Sequence, residues 1–304
     1  MRNVSMQRPR YFINSIAKGL AVLEAFSEAG HPLTLSKIAS ALKANNTTAT
    51  RLCYTLTELG FIQKDEQKRY HLTPKILTLG HAYISGLAWY EVAQYYLEKL
   101  FREVQETVSL SILEGSEIIF VLRIRKRKYL PFDIQVGTKL PVYCTAMGKV
   151  LMAMGLPQKT QSILKGLEFK SLTAHTITHL DKFIQELDKV RKNGYGINDE
   201  ELSIGNRSVA APILDEKGCA VAAIHIAVPT TDYSRSQMEK TLAPQVIKTA
   251  REISEALVKM EAPIAITGFF EPGWKNQNRQ GIKTALKSVG RNNVRDHRKE
   301  RGSP

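Results

Sequence analysis

The strongest constraint on the fold is a run of three short helical patterns followed by two strand-like runs, all between Asn14 and Thr73. In each helical stretch, apolar residues recur at spacings of three and four, as in a helix that buries one face. The third stretch ends at Gly60, and the runs 60–63 and 69–72 predict a β-hairpin. Three helices followed by a hairpin predict a winged helix-turn-helix. The predicted buried positions are Ile16, Leu20, Leu23 and Phe26, then Leu35, Ile38, Ala39 and Leu42 after a cap at Thr34, then Ala49, Leu52, Leu56 and Leu59.

The outer face of the third helix carries short polar side chains and one guanidinium, and its first turns carry neither Glu nor Lys. Small leading residues let a helix approach base edges in the major groove, and Arg51 can reach a guanine edge or a phosphate. An ordinary solvated face is the alternative, although such faces usually carry Glu and Lys. Basic residues of the hairpin add candidate phosphate contacts. The predicted DNA-binding residues are Asn46, Thr47, Thr48, Thr50, Arg51, Tyr54, Lys64, Lys68 and Arg69.

The charge of the chain agrees with a polyanionic partner. The formal net charge is +14, and both ends of the chain are basic. An excess of Lys and Arg favours binding to nucleic acid, although it also keeps a protein in solution. The segment 261–304 is rich in Asn and Arg, and it predicts a weakly ordered tail that adds nonspecific affinity for DNA. Double-stranded DNA is therefore the predicted macromolecular partner.

A length of 304 residues predicts two domains, each large enough for its own core. We predict a DNA-binding domain at 1–74, a linker helix at 75–90, a larger domain at 91–260 and the basic tail at 261–304. The linker helix leaves an apolar side, which predicts pairing with a second copy of the chain. Its apolar residues are Ile76, Leu77, Leu79 and Tyr83.

The sequence predicts a cytoplasmic protein without a membrane partner. No apolar run approaches the roughly 18 residues that a membrane helix needs. The first residues lack the apolar stretch of a secretion signal. Cys53, Cys144 and Cys219 lie far apart without a CxxC pair, which is typical of buried thiols in a reducing compartment.

The pattern changes after the linker and predicts an α+β domain with an antiparallel sheet flanked by helices. Strand signals occur at 108–113, 118–124, 129–136, 208–214 and 220–228, and helical spacing occurs at 92–104 and 238–258. Arg123, Arg125 and Arg127 alternate near the end of the second strand. We interpret them as charges that protect an exposed strand edge, with contact to nucleic acid as the alternative.

Two segments of this domain resemble the signatures of IclR-type transcription regulators: GTKLPVYCTAMGKVLMA at 137–153 and GYGINDEELSIGNRSVAAPILDEKG at 194–218. The resemblance covers residues 11–258 and includes the opening helix SIAKGLAVLEAF at 15–26. The form YCTAMGK resembles the same segment in the branch of the family that regulates aromatic-acid catabolism through the β-ketoadipate pathway. The resemblance implies a winged helix-turn-helix, a linker helix and a GAF-like effector-binding domain, assembled as a homodimer or homotetramer.

The resemblance also implies an effector pocket that is lined from both signature segments. At two of its positions this chain departs from the family, because Asn198 stands where relatives often have an acid and Ser208 where some have cysteine. The effector of any one relative therefore does not transfer to this chain. The implied pocket residues are Leu140, Ala146, Met147, Asn198 and Ser208.

The start of a predicted helix gives the pocket a physical reason to bind an anion. Cys144, Thr145 and Ala146 lie there, where free backbone N–H groups favour a carboxylate. A small organic acid is therefore the predicted effector. For Leu140 and Met147, ordinary core packing is the alternative, because apolar residues fill both cores and pockets.

Other motifs do not predict a metal, a cofactor or a catalytic residue. His175 and His179 form an HxxxH pair without a third ligand nearby in sequence. Gly148 and Lys149 do not belong to a phosphate-binding loop, because Tyr143 stands where that loop needs glycine.

The sequence leaves two rival functions open. The first rival is an organic-acid enzyme that carries a helix-turn-helix. The acidic run 199–201 is the sequence feature that most favours it, although adjacent carboxylates usually form a solvated loop. The chain has no recognisable pair of nucleophile and base, so we predict that it is not an enzyme. A nonspecific architectural DNA binder is the other rival, and it would leave the large second domain unexplained.

Overall fold

The computed structural model describes residues 11–29, 32–87, 89–126 and 134–260. The chain divides after Gly86 into two compact units. This division falls inside the predicted linker 75–90, while the predicted boundaries at 74, 90 and 260 stay predictions. The predicted tail 261–304 lies outside the described residues. Within the described part, no helix is both long enough and apolar enough to cross a membrane.

The N-terminal unit is a helical core closed by a small antiparallel sheet. Its strands pair in the order β1-β3-β2, so that β3 lies in the middle. Val22, Phe26, Ile38, Cys53 and Ile62 are among the residues buried in its core. This arrangement confirms the predicted winged helix-turn-helix. In chain order the elements are α1 (Asn14–Ala29), β1 (Leu33–Thr34), α2 (Leu35–Ala41), α3 (Asn46–Glu58), β2 (Ile62–Lys64), β3 (Arg69–Leu72) and α4 (Lys75–Gly86).

Local capping interactions fix the starts of α2 and α3. Thr34 Oγ1 accepts a hydrogen bond from the N–H of Lys37 at 3.4 Å, and Asn45 Oδ1 accepts one from the N–H of Thr48 at 2.8 Å. Each cap satisfies an N–H that the first turn of a helix leaves without a partner. Gly60 follows the end of α3 with a φ of +72°, a conformation that a residue without Cβ adopts at low cost.

The buried face of α1 differs from the predicted one. Phe26 is buried as expected, but Ile16 and Leu20 are 58% and 57% exposed, and Val22 is buried instead. The buried residues of α1 all lie in its second half, because only that half lies against the core of the unit. Leu59, also predicted to be buried, is 52% exposed. The spacing of apolar residues predicted these helices correctly, but it did not predict which of their apolar residues are buried in the core of the unit.

In the C-terminal unit, the described residues form a six-stranded antiparallel sheet with helices on both faces. The strand order is β6-β5-β4-β9-β8-β7. The strands are β4 (Thr107–Glu114), β5 (Glu117–Ile124), β6 (Lys139–Pro141), β7 (Gly196–Asp199), β8 (Asn206–Leu214) and β9 (Ala220–Pro229). The helices are α5 (Tyr90–Val104), α6 (Ala146–Met154), α7 (Pro157–Lys165), α8 (Leu180–Asn193), α9 (Arg235–Gln237) and α10 (Ala243–Lys259).

The side-chain alternation along β9 divides the sheet into two different faces. Ile224 and Ile226 belong to the core that the sheet shares with α5 and α10. Ala223, which points the other way, belongs to the core shared with α6 and α8. The central strands are therefore apolar on both faces, as expected for a sheet covered on both sides.

One predicted strand is wrong in the part that can be compared. Of the predicted strand 129–136, residues 129–133 lie outside the described residues, and 134–136 contain no strand. The strand that pairs with the start of β5 is instead β6, where Ile118 lies opposite Leu140. The fold class is confirmed: an α+β chain with a winged helix-turn-helix and a GAF-like antiparallel-sheet unit.

Candidate functional site

The outer face of α3 presents the side chains that the sequence predicts to contact DNA. The opposite face is buried through Ala49, Cys53 and Leu56, so the helix is held by its apolar side. The structure thus brings a polar, singly charged strip together over the first turns of α3, while its contact with DNA stays a prediction. Thr48 of this strip is half-buried, and the exposed members are Asn46, Thr47, Thr50, Arg51 and Tyr54.

An ion-pair network shapes the tip of the β2–β3 hairpin. The Asp65 carboxylate contacts His71 Nε2 at 2.7 Å and accepts from Arg69 Nε at 2.9 Å. Hydrogen bonds from His71 and then from Arg69 hold the pKa of Asp65 below its ordinary range. The predicted phosphate-binding charge of Arg69 is therefore partly neutralised within the hairpin. Lys64 and Lys68 are also exposed there.

A cavity opens on the α6 side of the large sheet, and two of its lining residues, Arg123 and His225, belong to a polar row across three strands. Strand register places Arg123 of β5 opposite Ser109 of β4, and Ser109 opposite His225 of β9. Arg123 Nη1 donates to Ser109 Oγ at 3.0 Å. The guanidinium carbon of Arg123 lies 5.8 Å from the centroid of the Phe120 ring. One end of the cavity therefore combines the cation of Arg123 with the imidazole of His225.

A second polar group lies further along the strands, at the other end of the cavity. Register places Ser208 of β8 opposite Ala227 of β9, and Asn198 of β7 opposite Ser208. Asn206, two residues before Ser208, lines this end as well. Asn198 Oδ1 accepts the backbone N–H of Glu201 at 2.9 Å. Because that oxygen holds the following loop, the polar group that Asn198 offers the cavity is its NH₂ donor.

The space between these ends is covered by apolar side chains from the strands, α6 and the loops. It amounts to about 450 Å³ between atoms, part of which opens to solvent. Only about 20 Å³ of this space admits the centre of a water-sized sphere, which is room for about one water and less than a small-molecule site needs. Most of the space is narrow, so the lining side chains must separate around a ring-sized ligand. The apolar lining consists of Ile118, Phe120, Ile134, Leu140, Met147, Leu202 and Ala227.

Five of the seven predicted effector-binding residues line this cavity, and two do not. Cys144 and Ala146 are buried in the core shared with α6. Burial raises the pKa of the Cys144 thiol to about 12, so the thiol is protonated at neutral pH. Their absence from the described lining follows from the tight turn before α6, which faces them into the core. The five residues that line the cavity are Leu140, Thr145, Met147, Asn198 and Ser208.

The start of α6 has fewer free N–H groups than the sequence predicts. Thr145 is the N-cap, and its Oγ1 accepts from the N–H of Gly148 at 3.2 Å. The same hydroxyl donates to the carbonyl of Pro141 at 2.9 Å. The helix dipole still favours an anion near Thr145 and Met147, but one of the first-turn N–H groups has a partner within the chain.

Three polar residues of the cavity were not predicted from the sequence: Arg123, His225 and Asn206. The interpretation of Arg123 as a charge on an exposed strand edge is wrong, because its side chain lines the cavity. His225 is 7% exposed, and its Nε2 has no hydrogen-bond partner among the described residues. Burial and the charge of Arg123 lower the pKa of His225 to about 3, so the imidazole is neutral at neutral pH. The sequence feature that could have predicted His225 as a site residue is that it is the single histidine in the apolar run 220–228.

A buried ion cluster lies on α6 close to the cavity. The Lys149 ammonium contacts the Glu201 carboxylate, Glu186 Oε1 at 3.3 Å and the carbonyl oxygen of Ile197 at 2.8 Å. Burial raises the pKa of Glu201, and the charge of Lys149 offsets part of this rise. The expectation that Glu201 lies in a solvated loop is wrong. Asn198 holds the backbone of Glu201, so the cavity and the cluster share one loop.

The other carboxylates of the acidic run are paired with arginines. Asp199 accepts from Arg207 and lies 3.7 Å from Arg235, and Glu200 lies 3.9 Å from Arg207. Across the described residues, His, Cys, Asp and Glu side chains do not gather in threes that could hold a metal ion. The carboxylates of the run 199–201 thus have partners within the chain, and the run begins the connection between β7 and β8.

A winged helix-turn-helix in one unit and a small-molecule cavity in the other define a DNA-binding transcription regulator that responds to an effector. A family model of the IclR helix-turn-helix domain matches residues 15–66. A second model, of the C-terminal domain of bacterial IclR transcriptional regulators, matches residues 81–255, which is more than half of the chain. This chain therefore belongs to the IclR family.

Individual relatives agree with this assignment over most of their length. The Pca regulon regulatory protein of Pseudomonas putida is 32% identical over 247 residues, which cover 81% of this chain and 84% of that protein. The p-hydroxybenzoate hydroxylase transcriptional activator of Acinetobacter baylyi is 30% identical over 256 residues, covering 81% and 92%. The crystal structure of a protein described as a transcriptional regulator, from Rhodococcus sp. RHA1, has a TM-score of 0.68 at 38% identity and covers 80% of this chain and 98% of that one.

Proposed function

We propose that this regulator changes its affinity for operator DNA when a small aromatic carboxylate binds in the cavity. The observation that carries the proposal is the guanidinium of Arg123 on the floor of a largely apolar space. Among the described lining residues, Arg123 is the one with a formal charge. A hydrogen bond to a charged group contributes roughly 1.5–3 kcal/mol, enough to favour an anion over a neutral ring. The names of the Pca regulon and p-hydroxybenzoate relatives support an aromatic acid.

The narrowness of the cavity supports a change of conformation on binding. A ring inserted there separates Met147 of α6 from the polar row on the sheet. Asn198 lines the same space and holds the backbone of Glu201, which pairs with Lys149 on α6. A ligand that favours the widened arrangement shifts the population of the whole unit, and operator affinity changes by linkage.

A thermal-shift titration with benzoate derivatives tests the proposed effector class. A ligand that binds the folded state raises the melting temperature, and we expect this for the wild-type protein. Arg123→Gln removes the cation, so we expect at least a tenfold loss of affinity for the carboxylate, equivalent to about 1.4 kcal/mol. Arg102→Gln is the matched control, because that arginine is exposed on α5 at 77% and lies outside the cavity. Equal losses in both variants, or no loss in Arg123→Gln, would remove Arg123 from the site.

The proposal includes a homodimer or homotetramer that presents two copies of α3 to operator half-sites. Apolar side chains on α1 and α4 support it, because residues of this kind are usually covered by a partner when they cluster. Sedimentation at micromolar concentration is expected to give a dimer or a larger species, and a monomer alone would contradict the assembly. The exposed apolar residues are Ile16, Leu20, Leu77, Leu79 and Tyr83.

The proposed role is regulatory and cytoplasmic, and it involves no turnover of the effector. The relatives are named as regulators, and the carboxylates of the run 199–201 are paired in the structure. Incubation of the purified protein with an effector that shifts its melting temperature is expected to return the compound unchanged. If operator and unrelated DNA bound equally well, a nonspecific architectural binder would be favoured instead.

A further inference from the structure

The two polar ends of the cavity offer different chemistry to a ligand. At one end, the Arg123 guanidinium lies in the same cross-strand row as His225. At the other end, Asn206 lies opposite Pro229, four residues further along β9 than His225 and therefore about 13 Å away along the strand. A ligand that touches both ends must carry two polar groups separated by an apolar body.

The cation end is matched to a carboxylate. Arg123 supplies charge, and the neutral imidazole of His225 can donate from Nε2, an atom with no partner among the described residues. Both side chains line the cavity. Satisfying a buried imidazole nitrogen recovers the cost of leaving it without a hydrogen bond.

The far end is matched to a group that both donates and accepts. Asn206 is 7% exposed, and its Oδ1 has no hydrogen-bond partner among the described residues. This oxygen can only accept, whereas the NH₂ of Asn198 can only donate. A hydroxyl satisfies both amides at once. A second carboxylate cannot donate to Asn206 Oδ1, and it would place a negative charge at an end where the described lining residues carry no cation.

Resting on the proposed function, we infer that Asn206 and Asn198 make the cavity specific for a carboxylate whose opposite end is a hydroxyl, and that they reject a second carboxylate there. Asn206 is the specificity-determining residue, because it supplies the acceptor that a bare ring or a dicarboxylate leaves unpaired. Sites with such buried polar groups discriminate against a ligand that lacks the matching group.

Calorimetric titration of the full chain with benzoate, 4-hydroxybenzoate and terephthalate tests this inference. We expect 4-hydroxybenzoate to bind at least tenfold more tightly than benzoate, and terephthalate to bind more weakly than either. In Asn206→Leu, which keeps the side-chain size, the preference for the hydroxyl should fall to less than threefold while benzoate affinity is retained. Asn193→Leu, at an exposed position at the end of α8, is the control and should keep the preference. Asn206→Ala serves as the second variant if the leucine variant does not fold.

The outcomes of this titration distinguish the hydroxyl specificity from the proposed aromatic carboxylate effector, on which it rests. If none of the three acids binds, the proposed effector class fails and the inference fails with it. If benzoate and 4-hydroxybenzoate bind equally, or terephthalate binds best, the inference is overturned while the carboxylate site stands. A hydroxyl preference that survives in both Asn206 variants would also overturn the role of Asn206.

Discussion

His225 makes a specific contribution to the pH dependence of stability. Burial and the nearby charge of Arg123 lower its pKa to about 3 in the folded chain, against about 6.5 in an unfolded one. The unfolded state therefore binds a proton as the pH falls below 6.5, while the folded state does not. Protonation favours the state that binds the proton, which here is the unfolded state. The stabilising contribution of the neutral His225 is therefore fully present above about pH 6.5, and it is lost as the pH falls toward 3.

The size of this loss follows from the two pKa values. At about pH 5, protonation of the unfolded histidine lowers the free energy of unfolding by about 2 kcal/mol, whereas at about pH 7.5 the effect is below about 0.1 kcal/mol. His225→Gln removes the titrating group. We therefore expect the variant to lose about 2 kcal/mol less than the wild-type protein between these two pH values.

Urea unfolding at a series of pH values measures this difference directly. The fluorescence of Trp89, which is buried in the C-terminal unit, reports unfolding of the unit that holds His225. His175→Gln is the control, because it removes an imidazole from an exposed position of the same unit. The quantity compared is the change in the free energy of unfolding with pH. A loss of stability in His225→Gln that is the same at every pH therefore does not affect the result. Identical pH slopes for the wild-type protein and His225→Gln would refute the buried, neutral state of the imidazole.

Three further substitutions test other parts of the structure. Lys149→Met leaves two largely buried carboxylates without their cation, so we expect a loss of about 3–5 kcal/mol in the free energy of unfolding, measured in urea. Gly148→Ala places a Cβ 2.4 Å from the backbone of Val142, and we expect a loss of about 1–3 kcal/mol in the same assay although alanine favours helices. Arg51→Ala should weaken operator binding by about 1–3 kcal/mol in fluorescence anisotropy, if the guanidinium contacts a base edge.

Matched controls decide whether these losses have the stated cause. Gly80→Ala, at an open position on α4, should raise stability by up to about 1 kcal/mol, so a loss there equal to that of Gly148→Ala would contradict the steric argument. Adding Glu201→Gln to Lys149→Met should recover part of the stability, and an additive loss would mean that the two groups do not interact. An operator affinity unchanged by Arg51→Ala would remove that residue from the interface.

Local signals account for the parts of the fold that the sequence predicted well. The start of α3 follows from Asn45 and Asn46, and its end follows from Gly60, because caps and positive φ depend on neighbouring residues only. The exposed state of Ile16 and Leu20 was not predictable in this way. Periodicity identifies an apolar side of a helix, but the element that covers that side is set by the tertiary structure.

The candidate site was less predictable, because its polar groups come from distant strands. Glu201 is buried by its contact with Lys149, 52 residues earlier, and nothing in the acidic run itself indicates a buried partner. The position of the Arg123 side chain in the cavity depends on the register of β5 against β4, and a run of basic residues does not reveal that register. His225 was within reach, since alternation along β9 puts it on the same face as Ala223 and Ala227, where a single imidazole marks a break in the apolar core.

Close packing of small residues limits the space between α6 and the sheet. A Cβ on Gly196 of β7 would lie 2.9 Å from the carbonyl oxygen of Ala146, so β7 and α6 touch there through backbone atoms. Ala210 and Ala223 belong to the same core and keep the helix near the sheet. Beside this contact the larger polar residues Arg123 and His225 stand on the same face, and they cannot be covered as closely. The space left between helix and sheet is therefore polar at its floor, and the proposed ligand carboxylate would lie there.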